Sequence, residues 1–360
     1  MIPPPWVARA VTRLADALAK VRRRLIPRNF AIIELATMSW VAQSIAAFCE
    51  LGLPQALANG ARTADELATE GYGDRDRLFR MLRGLAAYDV VRHCGNGRFA
   101  LGHLGEALVG THSALPMVLY ANAPWHTGAY AHLAQGVRSN RPAFDIAEGM
   151  PLFAFYEQHP EAGKVFDAAM KSLTPLFGPA FAAAYDFSRM QHVVDVGGGT
   201  GALLEYVLQR FQHLHGTVFD LPAVIERVRT SDRLRAVAGN VLTGAPPHAD
   251  AYVLSHVLHD WDDESCVRML QNVRTAMPAH ARILVYEIVA APPGGWWSQD
   301  RITDLEMLAM LSGRERTREE FEALLARAGL KLNRVIAAAA SESIFEAVPY
   351  TTKLSSLSAT

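Results

Sequence analysis

Apolar side chains recur at Val7, Val11, Leu14, Leu18, Val21 and Leu25, a helical period, while Arg9, Arg13, Lys20, Arg22, Arg23 and Arg24 occupy other faces. The pattern predicts a basic amphipathic helix over residues 6–25. The next apolar stretch, Leu35 to Cys49, is shorter than the ~20 residues that cross a bilayer and is interrupted by Thr37, Ser39, Gln43 and Ser44, so it reads as a buried helix. Thr63-Ala-Asp-Glu66 has the form of a capping box, and Asp74 opens a helix that should bury Leu78, Met81, Leu82 and Leu85. Two strands, Val90 to His93 and Arg98 to Leu101, follow around Gly95-Asn96-Gly97. Helices closed by such a hairpin predict a winged helix.

From 115 to 185 the pattern is helical and dense in aromatic residues. The period then changes to short β-rich runs at His192 to Val196, Thr217 to Phe219, Leu234 to Val237, Ala251 to Leu254 and Ile283 to Tyr286. Helical segments such as Ala202 to Phe211 and Glu264 to Met277 separate them, and the alternation predicts an α/β doubly wound sheet of Rossmann-like type. Runs at Leu332 to Ile336 and Ser343 to Val348 predict a closing antiparallel hairpin. The expected organisation is therefore a basic arm (1–30), a mostly helical winged-helix unit (31–114), a helical segment (115–185), an α/β domain (186–350) and a frayed tail (351–360).

Composition narrows the function classes. With 50% hydrophobic and 20% charged residues the chain can bury a large core. A net charge of −1 gives no global attraction for nucleic acid, although residues 1–28 hold +6 and leave −7 for the rest. Arg75, Arg77, Arg80 and Arg83 on the candidate recognition helix keep a DNA-binding reading open; the alternative is a winged helix turned to oligomerisation. Cys49, Cys94 and Cys266 form no metal-binding or disulfide spacing, and the first residues lack the apolar core of a secretory signal, so a cytoplasmic setting is expected.

Asp195-Val-Gly-Gly-Gly-Thr-Gly201 follows a predicted strand and opens a predicted helix, and Asp220 ends the next strand, where a carboxylate can accept both ribose hydroxyls. These two features identify a nucleoside site. Gly197-x-Gly199-x-x-Ala202 also fits the looser dinucleotide fingerprint, so an NAD-dependent oxidoreductase has to be weighed. Charge favours S-adenosylmethionine: Asp195 beside the loop, with no lysine or arginine from 193 to 209, opposes a pyrophosphate and favours a cationic sulfonium.

The segment from Val193 to Glu264, with Val-Val-Asp-Val-Gly-Gly-Gly-Thr-Gly, then Val-Phe-Asp-Leu-Pro, then Leu-His-Asp-Trp-Asp-Asp-Glu, resembles the S-adenosylmethionine-dependent class I O-methyltransferases of the caffeic acid type and their bacterial natural-product relatives. The resemblance extends to Tyr286-Glu287 and Gly313-Arg-Glu-Arg-Thr317 and covers nearly the whole chain after residue 30. It implies methyl transfer to a small aromatic hydroxyl with S-adenosylhomocysteine as product, a homodimer formed through the N-terminal region, and no membrane span. Phenols have a pKa near 10, so a base helps at neutral pH. The family's catalytic base falls on His259, and the carboxylates that orient it fall on Glu287 and Glu315.

The resemblance assigns cofactor contacts to Asp195, Gly197, Gly199, Gly201, Asp220, Leu221, Asn240, Val241, Ser255, His256 and Trp261. Three of these depart from the plant pattern. Asn240 stands where an aspartate receives the adenine amino group, Ser255 replaces a lysine and His256 replaces a tryptophan. On the acceptor side Phe166 and Met170 match pocket positions, Asp260 completes the histidine motif, and Trp125, Phe153, Met307, Met310 and Leu311 are lining residues by character. Asp304 could bind a polar substituent. The pocket's aromatic character points to a polyketide-, naphthoate- or phenazine-like acceptor. The acidic residues after His259 read as a helix cap, and no metal is expected. Alternatives are use of the same cofactor without methyl transfer, in hydroxylation or decarboxylation, and a winged-helix regulator that senses a nucleoside.

Overall fold

In the computed structural model the described residues are 5–292, 298–338 and 342–350; the expected frayed tail lies outside them. Two compact units interleave along the chain. One comprises residues 14–132 and 144–175, the other residues 1–13, 133–143 and 176–360, so the helical stretch 115–185 is divided between them.

The first of these begins with helix α1 (Pro5–Leu25), most of which it contains, and α2 (Arg28–Glu50). The helical period is as predicted, but these helices leave large apolar side chains in solvent: Leu14, Leu18 and Leu25 on α1, and Phe30, Ile32, Ile33, Leu35, Met38 and Trp40 on α2. The expectation of a buried helix from Leu35 to Cys49 holds only at its end, where Ala46, Phe48 and Cys49 enter a core. At 23 residues α2 is also longer than expected, long and apolar enough by length and composition alone to cross a membrane. An apolar face this large on one chain marks a surface for association.

Next come α3 (Leu53–Ala58), β1 (Arg62–Thr63), α4 (Ala64–Thr69), α5 (Arg75–Ala86), β2 (Val91–His93) and β3 (Arg98–Leu101), with sheet order β1-β3-β2. This is the winged-helix order. Thr63 and Glu66 form the predicted capping box, and the Asp74 side chain caps α5. Leu78, Leu82 and Leu85 are buried as expected, whereas Met81 is only half-buried at the core's margin. The arginines of α5 are solvated, and two are ion-paired: Arg75 with Asp65 at 2.5 Å and Arg80 with Asp76 at 3.8 Å. Short helices α6 (Leu115–Ala121), α7 (Pro124–Ala131), α9 (Ala143–Glu148) and α10 (Leu152–Gln158), with α8 (Leu133–Ser139) between them in the other unit, lead into the long α11 (Pro160–Ala184).

The second unit is a seven-stranded sheet: β4 (His192–Val196), β5 (His215–Asp220), β6 (Leu234–Ala238), β7 (Ala251–Ser255), β8 (Arg282–Ile288), β9 (Leu330–Ala337) and β10 (Glu342–Pro349). Its order is β6-β5-β4-β7-β8-β10-β9, with β10 antiparallel to both neighbours. The expected closing hairpin is present, and it inserts a strand into the simple dinucleotide-binding order. Helices α12 (Ala202–Arg210) and the end of α11 cover one face, where Phe181, Leu204 and Val207 join Tyr286 of β8 in one core. The other is covered by α14 (Asp263–Ala276) and α16 (Arg318–Arg327), which bury Cys266, Leu270, Phe321 and Leu325. Helices α13 (Pro222–Ile225) and α15 (Gln299–Met310) complete the unit. The carboxyl ends of β4, β5, β7 and β8 thereby point to one edge of the sheet, where open α/β folds bind ligands.

Candidate active site

The nucleoside side is built by the turn from β4 into α12. Gly197 and Gly199 adopt φ of +71° and +56°, the left-handed region that glycine enters freely. A Cβ at Gly197 would lie 2.8 Å from the Val257 side chain, whereas one at Gly199 would meet nothing within 4 Å, so the loop is open at that point. Asp220, at the end of β5, accepts the Gly199 N–H at 2.8 Å through Oδ2 and the Leu221 N–H at 2.7 Å through Oδ1, so its carboxylate is already oriented. Asp195 is 1% exposed, and neither of its oxygens has a hydrogen-bond partner. Burial, and after it the charge of Asp220, push its carboxyl up to about 7.

These features fit a cationic nucleoside better than a dinucleotide. An uncompensated carboxylate under the loop opposes a pyrophosphate and favours a sulfonium or ammonium group. The remaining expected contacts are more mixed. Asn240 is exposed, and its Oδ1 accepts the Leu242 N–H at 2.9 Å, so an adenine amino group would have to share that oxygen. Val241 and Trp261 pack half-buried against the sheet core. Ser255 Oγ lies 3.2 Å from Nδ1 of His256, which takes a left-handed φ of +53°. The His256 ring packs 4.7 Å from Phe177, and its Nε2 is 3.4 Å from Glu342, a buried carboxylate absent from the expected site.

The histidine side joins three distant segments. After β7 a single 3-10 turn, residues 258–260, carries His259, 7% exposed. Glu287, fully buried at the end of β8, accepts the N–H groups of Val257 at 3.0 Å and Leu258 at 2.8 Å through Oε1 and leaves Oε2 3.7 Å from His259 Nδ1. Glu315, in the loop between α15 and α16, accepts from Nδ1 at 2.9 Å. Glu315 is thus the direct partner of the ring, and Glu287 chiefly holds the turn. The opposite nitrogen, Nε2, faces Asp260 Oδ1 at 3.4 Å.

Burial alone would push the His259 pKa down, but the charges of Glu287 and Asp260 and the bond to Glu315 outweigh it and raise it to about 10. Burial likewise lifts Asp260 to about 7, with His259 drawing it down and Glu287 pushing it up. Donor atoms of His259, Glu287 and Glu315 lie within 4.8 Å of one another, a spacing a metal ion could also bridge, although the Nδ1 bond to Glu315 already occupies the ring nitrogen on that side.

Asp304 is not free in the way expected: its Oδ1 accepts the Glu315 N–H at 2.9 Å, tying α15 to the loop that carries the histidine's partner. Met307 and Met310 are buried on α15, and Leu311 caps it half-buried. Trp125, Phe153, Phe166 and Met170 belong to the other unit. There Trp125 and Phe166 both pack on Tyr156, at ring distances of 5.5 and 5.0 Å, Phe153 lies 6.3 Å from Phe166, and Met170 follows Phe166 by one helical turn. Arg316, fully buried beside Glu315, was not singled out by sequence. Its burial has no local signal.

Residues 130–331 match the family described as O-methyltransferase domain, and residues 33–111 match that described as O-methyltransferase dimerisation domain. The chain is 32% identical over 336 residues to phenazine O-methyltransferase of Lysobacter antibioticus, covering 91% of this chain and 98% of that protein. Among solved structures, mitomycin 7-O-methyltransferase superposes with a TM-score of 0.84 at 32% identity, covering 92% of this chain and 99% of that one. An O-methyltransferase from neocarzinostatin biosynthesis, crystallised with S-adenosyl-L-homocysteine and 1,4-dihydroxy-2-naphthoic acid, superposes with a TM-score of 0.72 at 32% identity, covering 86% and 95%.

Proposed function

The chain belongs to the O-methyltransferases that join a dimerisation domain to an S-adenosylmethionine-dependent catalytic domain, a homodimeric enzyme class, and on that premise we propose that it methylates a hydroxyl of a small planar aromatic metabolite with His259 as general base. The observation that carries this reading is the 2.9 Å bond from His259 Nδ1 to Glu315 in a buried site. That bond selects the tautomer in which Nε2 is free to accept a proton.

Bound S-adenosylmethionine supplies a methyl group already activated on a sulfonium; the chain's own work is alignment and proton removal. We assign its binding to Asp195, Gly197, Gly199, Gly201, Asp220 and Leu221 on one side and to Asn240, Val241, Ser255, His256 and Trp261 on the other. With the methyl passing from the cofactor's sulfur to the acceptor oxygen and S-adenosylhomocysteine leaving as a neutral thioether, Nε2 of His259 would take the hydroxyl proton. Glu315 stabilises the imidazolium, and Glu287 holds the turn in register through the Val257 and Leu258 amides. Asp260, Met307 and Leu311 are assigned to the acceptor. Relatives are named as methyltransferases of a phenazine and of a naphthoate, and a planar aromatic acceptor of that kind is the class we propose.

An imidazole held up to about 10 carries its proton at neutral pH in the ligand-free site. Raising the pH populates the base, and a sulfonium nearby acts in the same direction by repelling the imidazolium. The three cysteines are unpaired, and a cytoplasmic location is part of the proposal. The test is incubation with a panel of phenols and quantitation of S-adenosylhomocysteine and methylated product. Formation of both by the wild type and loss of about 10²–10⁴ in rate by His259→Ala, with cofactor affinity retained, are expected. A near-normal rate in that variant at its pH optimum would refute the base assignment.

A further inference from the structure

Arg316 is 0% exposed, yet it forms no hydrogen bond to Glu315 or Glu287. Its guanidinium instead grips the backbone on both sides of His259. Nη1 donates to the Leu258 carbonyl at 2.7 Å and Nη2 to the Trp261 carbonyl at 2.7 Å, so the two contacts bracket residues 259 and 260. Nε and Nη2 both donate to Oδ1 of Asp263, at 3.0 and 2.8 Å, at the start of α14, and Nη1 lies 3.5 Å from the Arg314 carbonyl. Every N–H of the fork has an acceptor. The main chain of Arg316 is tied in turn to the segment after β8, where the Ala290 N–H donates to its carbonyl at 2.9 Å.

The two loops also meet at Gly313, where a Cβ would lie 1.9 Å from the His259 carbonyl oxygen. The loop carrying Glu315 and the turn carrying His259 are therefore held in one register by a guanidinium at one point and by backbone contact at another. A lysine could not reproduce this, because an ammonium presents a point charge rather than a planar fork that spans two carbonyls and a carboxylate.

We propose that Arg316, anchored by Asp263, is a positioning residue for methyl transfer: it clamps the His259 turn against the Glu315 loop and so sets the base at its working distance from its carboxylate. This rests on His259 being the base. With the clamp loosened, Glu315 separates from Nδ1, the imidazole loses part of the interaction that raises its pKa, and the acid limb of the pH–rate profile moves to lower pH. A purely structural role would reduce the amount of folded enzyme without moving that limb.

The experiment compares Arg316→Lys, Asp263→Asn and His259→Ala as full-length dimers, each normalised to S-adenosylmethionine-binding sites. Arg327→Ala serves as control, because Arg327 is an exposed side chain paired with Glu264 and touches neither Arg316 nor Asp263. Arg316→Lys is expected to lower kcat at least tenfold, leave KM for S-adenosylmethionine within about twofold, shift the acid limb down and lower the His259 imidazole pKa seen by ¹⁵N NMR without ligand. Should Arg316→Lys fail to fold, Asp263→Asn carries the test with a smaller shift in the same direction, while Arg327→Ala stays within about twofold of wild type. An unchanged acid limb and unchanged imidazole pKa in the folded variant overturn the clamp. If His259→Ala retains its rate while Arg316→Lys still shifts the imidazole pKa, the base reading fails and the clamp stands as geometry alone.

Discussion

The two sides of the catalytic unit are built in opposite ways. On the nucleoside side the glycine loop and Asp220 lie on neighbouring parallel strands, and the carboxylate spends both oxygens on nearby amides. On the histidine side one ring is surrounded by Glu287, Asp260, Glu315 and, behind the turn, Arg316, drawn from three segments. The first site needs two adjacent parallel strands, a turn and a helix start; the second exists only once the loop after α15 has docked on the turn after β7. Damage should therefore separate: changes on the nucleoside side act on cofactor affinity, and changes on the histidine side act on turnover.

The comparison breaks most sharply at His259. Its replacement by alanine should remove about 10²–10⁴ of kcat with no more than a small change in cofactor affinity by calorimetry. Asp220→Ala is expected to do the reverse. Loss of charge-assisted bonds that orient the loop should weaken S-adenosylmethionine about 10–100-fold, with kcat at saturation affected far less.

Gly313→Ala tests the docking itself. A side chain against the His259 carbonyl is expected to lower stability by about 1–3 kcal/mol in denaturant melts and to depress kcat without weakening cofactor binding. Equal losses of affinity and turnover would erase the division between the two sides.

The pH dependences sharpen it further. Initial rate should rise from pH 6 towards pH 9 as the raised His259 loses its proton. Because its folded-state pKa lies above the unfolded value, the stability His259 contributes is fully present below about pH 6.5 and is lost as pH rises through about 10. Asp195 also has a raised folded-state pKa, but here the charged form is the unfavourable one. The native state binds the extra proton between about pH 4 and pH 7, so stability falls as pH rises through that window and stays low above it. Asp195→Asn should therefore raise the Tm of the ligand-free protein at pH 8 and shrink the further rise on adding S-adenosylmethionine; a lowered Tm would contradict the orphan-carboxylate reading.

The smallest effect expected lies outside this unit. Deleting residues 1–28, with a charge of +6, should weaken the homodimer about tenfold or less at low salt, and the difference should shrink at high salt, measured by sedimentation velocity over a concentration series. The exposed faces of α1 and α2 make dimer contact the natural fate of those side chains. A basic arm that merely solvates the chain would give no salt-dependent difference.

Periodicity, caps and the glycine loop are local enough to read directly: they give the winged-helix order, the five parallel strands and the closing hairpin, and they motivate the nucleoside site proposed at Asp195 and Asp220. His259, Glu287 and Glu315 came from family resemblance, because nothing within a few residues of each shows which of them will meet. An exposed aspartate on a helix has many uses, so the sequence admits Asp304 as an acceptor ligand; the Glu315 amide that occupies it arrives from eleven residues away. Nothing local distinguishes Arg316 from Arg314 either. In an Arg-Glu-Arg run, only packing decides which arginine is solvated and which is buried.

The amino-acid sequence by itself determined the elements, their alternation and a glycine loop flanked by acidic rather than basic side chains, because those depend on backbone conformation and side-chain type over one or two turns of chain. Tertiary structure decided the environment of His259. A histidine pKa raised against its own burial, a carboxylate left without a partner and a guanidinium stapled to two carbonyls are products of low dielectric and of contacts between segments tens of residues apart.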